Sequence, residues 1–309
     1  MNQNTSRGQK NYRNTYRDFG FDAIRALGIV LLFTGTAAAQ ESSNAYLLEW
    51  TTPTESEFEM TRLDLLTGFN SKGYNNQPFI AGSDLYLSST WNEKDHSNPN
   101  IIALNINRRS IRQITDTPDG EFSPTRKGDH LYFIRLNPET EFQELWKYDG
   151  RELMKVIPET NVAYFHVVSP DRLAVVLIEN NQLNLYDIDL VTNEKKKIID
   201  NAGRSLSYSS NGVLYFVHKY NQDTWYIKSY DILTGLVKIV CKTIPGAEDF
   251  YLEKDRYFWM GSDNRIYRST LQNGLASPWN NIFNLEEYPL NNIGRLCVIG
   301  DNQLVFINQ

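Results

Sequence analysis

Six polar residues recur at near-even spacing along this chain. They are Gln77, Ser123, His166, Ser205, Asp249 and Arg295, separated by 46, 43, 39, 44 and 46 residues. Glu121, Arg204 and Glu248 stand just before three of them. Together they offer amide, hydroxyl, imidazole, carboxylate and guanidinium groups, which can hydrogen-bond, move protons and pair with charge. If each repeat folds alike, periodic spacing of this kind brings unlike side chains to one place. Arg135, His218, Lys219 and Trp225 follow in the loops of two units and add cations, an imidazole and an aromatic face.

Three kinds of chemistry fit these residue types. The first is a binding or interaction site for a peptide, a glycan or a partner protein, with arginines for anions and Trp225 for stacking. The second is an enzyme, either a hydrolase built on His166, Ser205 and Asp249 or a lyase with Glu121 or His166 as base. The third is calcium binding by Glu121, Glu248 and Asp249, although Ca²⁺ takes six to eight oxygens and no Asp-rich loop is present. The binding module is the reading favoured by the mixed chemistry. The chain has no Gly-Lys-Ser/Thr phosphate loop, no Gly-x-Gly-x-x-Gly and no His-Glu-x-x-His. Its histidines number four, His96, His130, His166 and His218, which argues against a multi-histidine metal site. No cofactor is predicted.

The elements that must position these residues show in a second repeat. Asp84-Leu-Tyr-Leu-Ser, His130-Leu-Tyr-Phe-Ile, Arg172-Leu-Ala-Val-Val, Val213-Leu-Tyr-Phe-Val, Arg256-Tyr-Phe-Trp-Met and Gln303-Leu-Val-Phe-Ile share a turn followed by an apolar strand. Their second residues, Leu85, Leu131, Leu173, Leu214, Tyr257 and Leu304, lie 46, 42, 41, 43 and 47 apart. Each unit has room for four strands; in the fourth they are Ser205–Ser209, Val213–His218, Trp225–Asp231 and Val237–Lys242. Runs such as Leu173–Ile178 are apolar at nearly every position, so both faces of the sheet must be covered. A unit of this length with four covered strands predicts an all-β, six-bladed β-propeller with antiparallel blades. Asp64-Leu-Leu-Thr-Gly68, Asp149-Gly150 and Asp231-Ile-Leu-Thr-Gly235 supply turns in which the Asp bonds backbone N–H groups and the Gly takes a positive φ. The sixth unit lacks two strands, and Ala45–Trp50 and Glu59–Leu66 are left over to complete it. The first strand of each blade is innermost, so the six recurring residues are expected to ring one mouth of the central channel.

Residues 1–39 read as a signal peptide rather than as part of this domain. Arg7, Lys10, Arg13, Arg17 and Arg25 precede the short apolar run Ala26–Phe33, and Ala37-Ala38-Ala39 marks cleavage before Gln40. The run is shorter than the roughly 20 residues a bilayer span needs. No membrane span is predicted after removal, and the expected location is periplasmic or extracellular. Removing five basic and two acidic residues takes the net charge from −6 to −9, which argues against the basic surface that nucleic acid requires. Residues 40–309 form one domain, expected to be a monomer. Cys241 and Cys297 are its two cysteines, predicted free because the blade assignment sets them far apart.

Several segments resemble a known family. Asn76-Gln-Pro-Phe79, Thr115–Thr125 and Ser169-Pro-Asp171 look like the repeats of TolB-like, WD-repeat-like propellers. Gly203–Leu206, Phe216–Lys219, Trp225–Lys228 and Pro245–Asp249 resemble a bacterial secreted branch of that group. The family's Ser-Pro-Asp-Gly turn survives as Ser169-Pro-Asp-Arg172, and other copies read Arg126-Lys-Gly-Asp129 and Ser210-Asn-Gly212. The resemblance implies the propeller alone. The α/β domain of TolB has no counterpart in Gln40–Asn44, and the Gly-x-Ser-x-Gly of propeller-bearing peptidases is absent.

Overall fold

A computed structural model describes residues 41–54, 57–91 and 98–309; the leader expected over 1–39 lies outside them. The described chain is built from strands and one 3₁₀ turn, Gly68–Asn70. It opens with β1 (Asn44–Thr54) and β2 (Glu57–Leu65). Blade 1 is β3 (Asn75–Ala81), β4 (Asp84–Ser89), β5 (Asn100–Asn105) and β6 (Ile111–Gln113). Blade 2 is β7 (Glu121–Lys127), β8 (His130–Leu136), β9 (Gln143–Tyr148) and β10 (Leu153–Lys155). Blade 3 is β11 (Val162–Ser169), β12 (Arg172–Glu179), β13 (Gln182–Asp189) and β14 (Lys195–Ile199). Blade 4 is β15 (Ala202–Tyr208), β16 (Val213–Lys219), β17 (Trp225–Asp231) and β18 (Val237–Lys242). Blade 5 is β19 (Phe250–Glu253), β20 (Tyr257–Ser262) and β21 (Arg265–Gln272), with β22 (Leu275–Ala276) and β23 (Asn280–Asn284) both paired to β21. The last blade joins β24 (Ile293–Val298) and β25 (Gln303–Asn308) to the N-terminal pair in the order β2-β1-β25-β24.

This is a six-bladed propeller closed by its own ends. Asn44 pairs with Asn308 and Glu49 with Gln303 in antiparallel register. The four central residues of β25 show why closure matters. Leu304 and Phe306 pack into a cluster with Trp259 and Ile266 of blade 5, while Val305 and Ile307 pack with Leu85 and Leu87 of blade 1. All four are fully buried. Successive side chains leave a strand on opposite faces, and here both faces meet a neighbouring blade, so the sequence is apolar at every step.

Polar links recur at one-repeat intervals between blades. Ser210 N donates to Asp255 Oδ2 at 2.8 Å, and Lys254 pairs with Asp301. The Tyr230 hydroxyl donates to Asp187 Oδ2 at 3.1 Å, and the same carboxylate takes a fork from Arg172. Two predicted Asp–Gly turns form as expected. Asp231 Oδ1 accepts from Leu233 N at 3.0 Å and Thr234 N at 2.9 Å, with Gly235 at φ 72°. Asp149 Oδ1 accepts from Arg151 N and Glu152 N, both at 2.8 Å, with Gly150 at φ 97°. The third differs. Asp64 faces Arg62 and Arg109 instead of turn amides, and Gly68 enters the 3₁₀ turn. Two arginines outcompete the local backbone for that carboxylate.

Removing Gln303–Gln309 should unfold the domain. Four buried residues would each lose about 1.5–3 kcal/mol of burial, a loss comparable to the roughly 5–15 kcal/mol that holds a whole domain together. A truncated protein that melts near the full-length temperature would refute closure by these strands. Cys241 lies in β18, outermost in blade 4, and Cys297 in β24, innermost in the last blade; both are free. Burial pushes each thiol up to about 12, which leaves little reactive thiolate. A thiol reagent should therefore react slowly with native protein and find two thiols after denaturation without reductant; finding none would show the two cysteines to be bridged.

Candidate functional site

The innermost strands are irregular where they meet the channel mouth. Register shifts interrupt β3 between Asn76 and Phe79, β7 between Phe122 and Thr125, β15 between Ala202 and Leu206, and β24 between Ile293 and Leu296. An inserted residue re-aims a side chain and breaks the ladder locally. Pro78 and Pro124 enforce this in β3 and β7, because proline has no N–H to donate. Gln77 and Ser123 there hold φ at 58° and 55°, a conformation costly for residues with a Cβ. In β15 the bulge contains Gly203, where a Cβ would lie 2.8 Å from Cβ of Val217 and 3.2 Å from Oε2 of Glu248. Only glycine lets the backbone pass this close to the acid.

The bulges surround a cavity of about 160 Å³ at the mouth, with Gln77, Ser123, Tyr164, Arg204, Asp249 and Arg295 among its lining. Arg204 is held in a two-pronged bond to Asp249, Nε to Oδ1 at 2.7 Å and Nη2 to Oδ2. Arg204 Nε also lies 3.4 Å from Glu248 Oε1, and Lys219 Nζ lies 2.6 Å from Glu248 Oε2. Lys219 sits in turn over the Trp225 ring, 4.6 Å from its centroid. Arg295 donates from Nη1 to Asn76 Oδ1 at 2.9 Å and comes within 3.8 Å of Asp249 Oδ1. Burial alone would raise the Asp249 carboxyl, but Arg204 and Arg295 overcome it and hold the pKa below the usual carboxylate range. Burial likewise opposes the charge on Arg204, and Asp249 and Glu248 more than offset it, so its pKa is raised. Tyr164 is pushed up to about 12, chiefly by burial, and is a neutral phenol at the rim.

The recurring residues divide into groups. Arg204, Ser205, Asp249, Arg295, Gln77 and Ser123 all line the cavity. Two of them are also stitches between blades. Gln77 Oε1 accepts from Ser123 N at 2.6 Å, and Ser205 Oγ donates to Phe250 O at 2.8 Å while accepting from Phe250 N at 3.1 Å. Lys219 and Glu248 form the flank next to Arg204. Trp225 lines a neighbouring cleft of about 330 Å³ with Lys242 and Thr243.

His166, Glu121 and His218 lie elsewhere. The β11 bulge falls at Ala163, so Tyr164 pairs with Val176 and is level with Asn76 and Phe122 on their strands; His166 pairs with Ala174, one pleat deeper. Burial, aided by Lys127, pushes His166 down to about 4, and its ring stands 6.3 Å from that of Tyr208. Glu121 is wholly buried, accepts from Thr117 Oγ1 at 3.1 Å, and has its pKa raised by burial. Arg135, expected at the same rim, bonds Asp119 from Nε at 2.8 Å and lies over Trp146. His218 packs on Tyr220 at 6.0 Å, is pushed down to about 4 chiefly by burial, and is influenced by Lys228 rather than by the mouth carboxylates.

This geometry bears on the catalytic and calcium readings. Ser205 spends its hydroxyl on the Phe250 backbone, Asp249 is forked by Arg204, and His166 sits in another layer. The hydrolase-like trio is therefore not assembled. Glu121 is apart from Glu248 and Asp249, which face cations, and among the described residues no group of three His, Cys, Asp or Glu is placed to hold a metal. Sequence reasoning missed Tyr164 and Asn76. Tyr164 was detectable only by placing the bulge at Ala163, and Asn76 only as the acceptor that Arg295 reaches from the adjoining blade.

Asp249→Ala should leave Arg204 and Arg295 buried against each other. Breaking a buried pair on one side costs about 3–5 kcal/mol, and at about 2–4 °C per kcal/mol the melting temperature should fall on the order of 10 °C. A variant melting within a degree or two of wild type would show that the pair is solvated rather than buried.

No family profile and no curated protein matches this sequence. Solved structures do share the fold. A putative TolB from Agrobacterium tumefaciens matches with a TM-score of 0.65 at 10% identity, covering 86% of this chain and 98% of that one. TolB from Acinetobacter baumannii matches with 0.54 at 13% identity, covering 87% of this chain and 64% of that one. The chain thus spans less than two thirds of that protein's length. A puromycin hydrolase matches with 0.52 at 14% identity over 80% of this chain and 44% of its own. At such identities the likeness is one of fold, and in fold this chain is similar to the six-bladed propellers of TolB.

Proposed function

We propose that this chain is an exported binding module whose channel mouth receives a peptide, a glycan or part of a partner protein. The observation that carries the reading is the mouth itself. Polar and charged side chains from five of the six blades and Tyr164 from the other converge on one cavity, and its charged members are largely buried. Convergent polar groups in a concave site are the usual mark of ligand recognition. The cleft beside Trp225 adds an aromatic surface next to Lys219. Export is supported by the basic head, short apolar run and Ala37-Ala38-Ala39 of the leader, and either the periplasm or the exterior suits that signal. Binding is favoured over catalysis because Ser205 and Asp249 are committed to structural partners.

A thermal-shift panel of short peptides, oligosaccharides and Ca²⁺ tests this. A ligand present at 100 times its Kd stabilises by about 2.7 kcal/mol, a shift on the order of 5–10 °C at the conversion above. Arg295→Ala should abolish the shift while melting close to wild type without ligand, since Arg295 has no closely bonded carboxylate partner. A full shift persisting in Arg295→Ala would place binding away from the mouth.

A further inference from the structure

The charges at the mouth do not balance. Among the described residues, Arg204, Lys219 and Arg295 are the cations there, and Glu248 and Asp249 are the carboxylates that face them. Arg204 takes Asp249, and Lys219 takes Glu248. Arg295 is left with an approach of 3.8 Å to Asp249 Oδ1, an oxygen that already accepts from Arg204 Nε at 2.7 Å. Its hydrogen bond to Asn76 Oδ1 uses a neutral acceptor. The Arg295 side chain is only 13% exposed, so water does little to compensate its charge. A chain with net charge −6 has thus gathered, among the described residues, one surplus positive charge at this polar cavity.

The polar groups beside Arg295 lean the same way. Asn76 Nδ2 and the Tyr74 hydroxyl are buried without a hydrogen-bond partner among the described residues, and Tyr74 lies in the field of Arg295 and Arg204. These donors adjoin Arg295 without lining the cavity, and the complement of the cationic lining itself is an acceptor with negative charge. One surplus charge matches a monoanion. A dianion such as phosphate would carry a second charge toward Asp249 and Glu248, which repel it. A planar carboxylate also matches the guanidinium fork.

Cavity size selects the form of the ligand. About 160 Å³ is below the roughly 300 Å³ at which pockets begin to enclose a whole drug-sized molecule, so the site takes an end rather than a body. A peptide presents a carboxylate at its tip, whereas a uronic acid presents one on the side of a ring. We propose that the mouth captures the C-terminal carboxylate of a peptide, with Arg295 as the receiving residue; this rests on the binding reading above and specifies its ligand. Arg204 and Asp249 hold the wall against which the carboxylate is oriented, and the preceding residues of the peptide lead out over the rim.

The test compares two pools of random N-acetylated pentapeptides, one with free C-terminal carboxylates and one amidated, with glucuronate, neutral oligosaccharides and inorganic phosphate as further arms. Binding is read by thermal shift and titration calorimetry at low salt on the full domain. The free-acid pool should bind at least tenfold more tightly than the amidated pool, and Arg295→Gln should remove that preference without lowering the ligand-free melting temperature by more than a few degrees. The comparison of pools on wild-type protein needs no variant and stands if Arg295→Gln does not fold. Equal binding of both pools overturns carboxylate capture while leaving a peptide-binding mouth. Preference for glucuronate or phosphate overturns the peptide assignment, and binding of neutral oligosaccharides alone overturns the charge argument. If no arm binds, both the capture and the binding reading fall.

Discussion

Every blade of this protein has two apolar faces, and neither can be left wet. A four-stranded sheet of this composition cannot stand alone, and a row of them is stable only if the row has no ends. The ring supplies that condition. Leu304 and Phe306 look one way and Val305 and Ile307 the other, so β25 belongs as much to its neighbours as to its own sheet. Closure also sets the geometry on which the rest depends, because six sheets arranged around an axis bring six inner strands together whether or not those strands pack perfectly.

The inner strands are where the packing is least regular. The same bulges that break the ladder at Gln77, Ser123 and Arg204 turn those side chains toward the axis. Some of them then act as ties, as when the Gln77 carboxamide bonds the Ser123 backbone. Others hold charge, as in the fork between Arg204 and Asp249. Structure and recognition share one layer of residues, so that altering a charge there changes both the wall and the opening. The fork stiffens Arg204 and leaves Arg295, its neighbour across Asp249, comparatively uncommitted.

Much of the fold was legible because double-sided burial writes itself into sequence. Leu-Tyr-Phe runs at even spacing, and turns such as those at Asp149 and Asp231, follow directly from packing and backbone demands. Asp64 misled because Arg62 and Arg109 draw its carboxylate away. At the mouth, legibility tracked whether a bulge was marked. Pro78, Pro124, Gly203 and Gly294 flag their bulges, and Gln77, Ser123, Arg204 and Arg295 beside them line the cavity. The bulge at Ala163 carries no such mark, and counting past it put His166 where Tyr164 stands. His218 and Lys219 are sequence neighbours on one strand and therefore point to opposite faces, which spacing along the chain alone does not reveal. An aromatic rim residue such as Tyr164 also escapes any search that looks for groups charged at neutral pH.

Completion of the last blade by both ends of the domain carries a consequence for the order of events as the chain is made. Gln303 donates to Glu49 across 254 positions of sequence, and bringing together ends that far apart costs about 5 kcal/mol of chain entropy. The contacts that repay this cost are also the ones that synthesis delivers last. Until β25 is available, β1 has nothing to pair with but β2, and the blades on either side of the gap show open faces. The propeller therefore cannot ripen gradually from its N-terminus. The blade that closes the ring is completed only when β25 reaches β1.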